Sequence, residues 1–126
     1  TGRRLRQGDR VAVLSIGPIG NDIEELLAGE EAPGGVAHYD MRFLKPIDED
    51  ILHEVGRNFS RVVTVEDGVR NGGLGTAVVE WMNDHGYTPR VVRLGLPDEF
   101  VEHGTVAELR QIVGLDKNSI KQCLIQ

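Results

Sequence analysis

Ten residues, GLPDEFVEHG from Gly95 to Gly104, hold three acids and a histidine between two glycines. Asp98, Glu99, Glu102 and His103 are types that ligate metals or move protons. Ligation needs side chains that converge, and no H-x-x-x-H or C-x-x-C spacing is present. The carboxylates are therefore expected to cap helices, face water or meet another surface. His103, just ahead of Thr105, is placed to hydrogen-bond across an interface. Connectors in α/β units usually run about 2–6 residues, so a loop this long and polar reads as a site or an interface. A second group is Glu66-Asp67 followed by Gly72-Gly73-Leu74-Gly75. Glycines at a helix start let a phosphate or another backbone come close. However, the spacing is neither G-x-G-x-x-G nor G-x-x-x-x-G-K-[ST], and two carboxylates would repel an anion. The expectation is tight packing against the helix or a neighbouring subunit, with an anion cradle as the alternative. Gly17-x-x-Gly20 is a weaker instance of the same pattern. Arg42 and Lys45 flank Phe43-Leu44 and are expected to pair with Glu66 or Asp67. No Ser-His-Asp order or thiol nucleophile is evident. His38, His53 and His85 are expected to be surface or satisfied core residues.

These residues need elements to hold them. VAVLSI (Val11 to Ile16) is nearly all apolar, as in a strand covered on both faces. Arg3 to Arg6, before the turn signal Gly8-Asp9, is expected to fold back on it as a hairpin. Ile19, Ile23, Leu26 and Leu27 form a stripe of 3.6-residue period, and the helix stops in Gly29 to Gly35. Val36 to Met41 reads as the next strand. Asp48 is a good N-cap, with Ile47 and Leu52 as a staple. RVVTVE (Arg61 to Glu66) is a β-branched strand. The next helix faces its core with Leu74, Ala77, Val78, Trp81 and Met82, and Gly86 suits its end. Arg90 to Leu94 is the last strand. Thr105 and Glu108 form a capping box, Gly114 ends that helix, and Asp116 starts a short one with Ile120, Cys123 and Leu124. Strands alternating with helices imply parallel pairing. The expected fold is a three-layer α/β/α sandwich whose mixed five-stranded sheet has four parallel strands and one antiparallel N-terminal strand. The four loops beyond the strands' carboxyl ends are where ligands bind in such sheets, and all the residues singled out above from the loops lie there.

At 126 residues the chain fits one domain, 1–126. Its net charge is −6, but Thr1 to Arg10 carry four arginines against one aspartate, leaving −9 elsewhere. An acidic body argues against nucleic acid as the main partner. The basic start reads as a solvated edge strand. Cys123 is the only cysteine, so no intramolecular disulfide can form. A reducing compartment is consistent with that, and cytoplasmic location is the expectation. No run approaches a membrane span. A start at Thr1, without methionine, suggests a piece of a longer protein.

Three segments carry a resemblance: DMRFLKPID (Asp40 to Asp48), VTVEDGVRNGGLG (Val63 to Gly75) and GLPDEFVEHG, followed by a T-x-x-E helix and GLD (Gly114 to Asp116). Together they resemble the C-terminal domain of 1-deoxy-D-xylulose 5-phosphate synthases, thiamine diphosphate-dependent relatives of transketolase. The first two segments are similar also to transketolases and to β subunits of 2-oxoacid dehydrogenases. The resemblance implies a parent that condenses pyruvate with glyceraldehyde 3-phosphate and releases CO₂. It implies thiamine diphosphate and Mg²⁺ held by other domains of the same chain, and a homodimer. No catalytic, cofactor-binding or metal-binding residue of that family maps onto these positions, so this chain alone is expected to be inactive. The residues expected at interdomain or dimer contacts are Arg42, Lys45, Glu66, Asp67, Gly72, Gly73, Gly75, Asp98, Glu102 and His103. A free-standing phosphate- or nucleotide-binding module is the reading from another class.

Overall fold

In the computed structural model, residues 2–42, 46–66, 73–95 and 117–125 are described. The VAVLSI run becomes β2 (Val11–Ile16), with Val11 through Ser15 all buried. It is flanked by β3 (Val36–Asp40) and β4 (Arg61–Glu66), both parallel to it. β5 (Arg90–Leu94) continues the sheet beside β4. The strand order is β1-β3-β2-β4-β5. β1 (Arg3–Arg6) is antiparallel, as expected, but it pairs with β3 and not with β2. The hairpin expectation fails for a packing reason. Both edges of β2 are taken by parallel neighbours, so the polar strand RRLR goes to the open edge, where its arginines reach water. The turn at Gly8 instead passes over the start of β3, where a Cβ would strike the Gly35 and Val36 backbone.

Four described helices cover the sheet. α1 (Ile19–Ala28) and α4 (Lys117–Ile125) lie on one face, where Ile19, Ile23, Leu27, Ile120 and Leu124 meet Val11, Val13, Val63 and Val65. α2 (Glu49–Asn58) and α3 (Leu74–Asp84) lie on the other, packing Leu52, Val55, Leu74, Val78 and Trp81 on Ala12, Leu14 and Val62. The three layers follow from handedness. The chain steps from β2 to β3 in one direction, and from β3 to β4 and β5 in the other. Crossovers of one hand must then use opposite faces.

The expected caps are in place where described. Asp48 accepts the Ile51 amide at 3.1 Å, and Gly86 turns the chain after α3 with φ +77°. Ala77 is only half-buried, and so is Cys123. The capping box at Thr105 and Glu108, Gly114 and Asp116 lie outside the described residues.

Candidate functional site

β2 and β4 lie side by side, yet the helices that follow them, α1 and α3, sit on opposite faces. That makes their carboxyl ends the switch point at which such sheets open a crevice. The residues facing one another there are Ile16 and Glu66. Glu66 decides what the crevice can hold. Its carboxylate sits over the start of α3, where a Cβ on Gly73 would strike both of its oxygens, with its Cδ 2.7 Å away. The place an anion would take is filled by a negative charge of the chain itself. A Cβ on Gly75 would lie 2.7 Å from Arg93 Cγ and Cδ and 3.0 Å from Thr64 Oγ1. Gly73 and Gly75, both buried, thus let α3 approach β4 and β5 closely.

Arg42 stands exposed on the same rim with φ +60°, its amide donating to Asp40 Oδ1 at 3.0 Å. Among the described residues no ion pair joins it to Glu66; the alternative partner Asp67 lies outside the described residues. Lys45, Asp67, Gly72, Asp98, Glu99, Glu102 and His103 lie outside the described residues.

A polar line under α1 was not visible in the sequence. Ser15 Oγ lies 2.7 Å from His38 Nε2, and His38 Nδ1 lies 2.7 Å from Glu24 Oε2. Glu24 Oε1 accepts from Arg6 Nη2 at 3.3 Å. Four elements contribute one residue each. The spacing matches a nucleophile–base–acid chain, but Ser15 is 1% and His38 0% exposed. Gly20 closes over the hydroxyl, with a would-be Cβ 3.1 Å from Ser15 Oγ. No substrate can reach Ser15 or His38, whose polar atoms are satisfied within a buried network. Burial holds His38 below the ordinary histidine range, against the opposing pull of Glu24. The neutral ring then donates from Nδ1 to Glu24 and accepts from Ser15 at Nε2. Burial alone would raise Glu24, but hydrogen bonds from His38 and Arg6 outweigh it and leave the carboxyl below its usual range. The one signal available was the pattern itself: Ser15 in a buried strand and His38 in its neighbour, each needing a partner.

Two more clusters lie on the α2–α3 face. Tyr39 donates to Glu54 Oε2 at 2.5 Å, beside Arg4, at the wall of a cleft of about 590 Å³. Burial, and then the Glu54 carboxylate, push the Tyr39 hydroxyl far above its ordinary value. His53 Nδ1 meets Tyr87 Oη at 2.8 Å, and the ring is edge-on to Trp81 at 4.7 Å. His85 stacks on Trp81 at 3.9 Å. Among the described residues no group of three His, Cys, Asp or Glu side chains could hold a metal, and no helix is long and apolar enough to cross a membrane.

The family model described as transketolase, C-terminal domain, matches residues 1–120. The 1-deoxy-D-xylulose-5-phosphate synthase of Bacteroides thetaiotaomicron is 55% identical over 99% of this chain, and that of Parabacteroides distasonis 53% over 98%. The chain spans 20% of each of these relatives. A split-gene transketolase, solved as an inactive β4 tetramer, superposes with a TM-score of 0.80 at 31% identity, over 98% of this chain and 41% of that one. The family match over residues 1–120 and the shared fold of the 31%-identical transketolase agree, and the chain belongs to the transketolase C-terminal domain family.

Proposed function

We propose that this chain is the C-terminal domain of a 1-deoxy-D-xylulose 5-phosphate synthase, acting as a scaffold and contact surface and not as a reactive centre. The observation that carries it is identity above 50% to two such synthases along almost the whole chain, which fills only a fifth of their length. The parent would condense pyruvate with glyceraldehyde 3-phosphate in the cytoplasm as a homodimer. Thiamine diphosphate would supply the carbanion chemistry there. The described residues do not fit that cofactor. Glu66 occupies the α3 start that its diphosphate would need, and like charges at that distance repel. Cofactor and Mg²⁺ are therefore assigned to the other domains. The same carboxylate argues against a free-standing phosphate-binding module.

The rim at the strands' carboxyl ends is the proposed contact surface toward those domains and the second subunit. Arg42, Lys45, Glu66, Asp67, Gly72, Asp98, Glu102 and His103 would form it, and Gly73 and Gly75 would shape it from below. Identity to the synthases supports a synthase over a transketolase or a dehydrogenase β subunit as the parent.

The purified chain, given pyruvate, glyceraldehyde 3-phosphate, thiamine diphosphate and Mg²⁺, should release no CO₂ and form no product. The full-length form should do both. Turnover by the chain alone would sink the proposal.

A further inference from the structure

Glu24 is a single carboxylate with two partners. Oε2 takes the His38 Nδ1 proton at 2.7 Å, and Oε1 takes Arg6 Nη2 at 3.3 Å. Neutral imidazole has one N–H and one lone pair, and His38 uses both, since Ser15 donates to Nε2. A second proton would land on Nε2, against the Ser15 hydroxyl, whose hydrogen must then turn away. The imidazolium, wholly buried, would need a full counter-charge. The charged groups around it are Glu24 from α1, Arg6 from β1 and Asp40 from its own strand, while β2 offers only the neutral Ser15. Glu24 is the carboxylate in contact, so two cations would compete for it.

Arg6 is the weaker competitor. Its bond is longer, and its side chain is 37% exposed, so water can solvate it. Its Nε is buried without a hydrogen-bond partner. The β1–β3 register also shifts between Arg4 and Arg6, so the backbone ladder is broken next to the residue that must hold. We propose that Arg6, Glu24, His38 and Ser15 form a proton-sensitive latch, which fastens edge strand β1 to α1 and releases it when His38 becomes an imidazolium.

Amide hydrogen exchange of residues 3–6 in this chain, referenced to intrinsic rates, tests this between about pH 7.5 and about pH 4.5. That window reaches well below the ordinary histidine range, because burial holds His38 lower, and it ends above the ordinary glutamate value of about 4.3. Protection of β1 should fall by about two- to fivefold on acidification, the range for loss of a half-exposed ion pair. The central amides of β2 should not change. His38→Gln, neutral throughout and able to keep both hydrogen bonds, should give a flat β1 profile. Arg6→Met, with no cation to release, should show low β1 protection at both ends of the window. A wild-type β1 whose exchange is indifferent to pH overturns the latch. So does a pH response that survives in both variants.

Discussion

At the scale of single residues, glycines mark where one part of the chain touches another, and two opposing effects can be weighed at Gly56. In an exposed helix interior, replacing glycine by alanine gains about 1 kcal/mol. At Gly56 the new methyl would lie 2.6 Å from Tyr87 Cγ and Cδ2. The ring cannot swing aside freely, since His53 bonds its hydroxyl and Trp81 stacks on it. Overpacking of that kind costs about 1–3 kcal/mol, so Gly56→Ala should destabilise by about 1 kcal/mol in urea unfolding. Acid acts at the same scale. The unfolded chain takes a proton on histidine near 6.5 while folded His38, held lower, does not. It then takes one on glutamate near 4.5 before folded Glu24 does. In both windows the unfolded state binds more protons, so stability must fall as pH falls. Urea midpoints should therefore decline from neutrality downward, and Glu24→Gln should remove the part of the decline below about pH 4.5. The sequence allowed a satisfied core role for His38, but its partners lie 14 and 23 residues away. They could be named only once α1 and the β2–β3 register were known.

At the scale of elements, periodicity and caps were legible, and pairing across the sheet was not. β4 falls on the residues that β-branching marked out, with Val62 to Val65 buried between the two helix layers, while β5, at the sheet edge, is only partly buried. Asp48 could be read as a cap because its type and place alone determine the bond it makes. Removing that bond by Asp48→Ala should cost about 1 kcal/mol, seen as a lower denaturation midpoint. The site of β1 depended on which edges were vacant, a property of the finished sheet. The anchoring of α4 is likewise a tertiary matter. Arg61 Nη1 donates to Cys123 O at 2.5 Å, and Arg10 donates to the carbonyls of Leu124 and Ile125. Two guanidiniums thus satisfy the carbonyls that a helix end leaves unpaired. Arg10→Met should loosen α4, exposing Cys123 to faster alkylation by a thiol reagent while the central strands keep their amide protection.

At the scale of the whole molecule, the fold stands on two cores, one on each face of the sheet. At the carboxyl-end rim Ile16 packs against one of them, while Arg42 stands exposed. Here the residue types were legible, but Arg42 has no ion pair to Glu66 among the described residues. In the full-length form, reversing a rim charge by Arg42→Glu should weaken subunit or domain association with little change in the unfolding midpoint. An interfacial charge reversal typically costs several kcal/mol of association, and sedimentation read beside thermal unfolding would separate the two effects. Unaltered association would remove Arg42 from the contact surface.

The position of β1 has a consequence for how the polypeptide is made. Its last residue, Arg6, leaves the ribosome well before Asp40, which completes the strand it joins. The arginine-rich strand must therefore wait, solvated and unattached, until β3 emerges, and it can join before β4 and β5 are made. Synthesis halted before β3 emerges would leave that strand with nowhere to go.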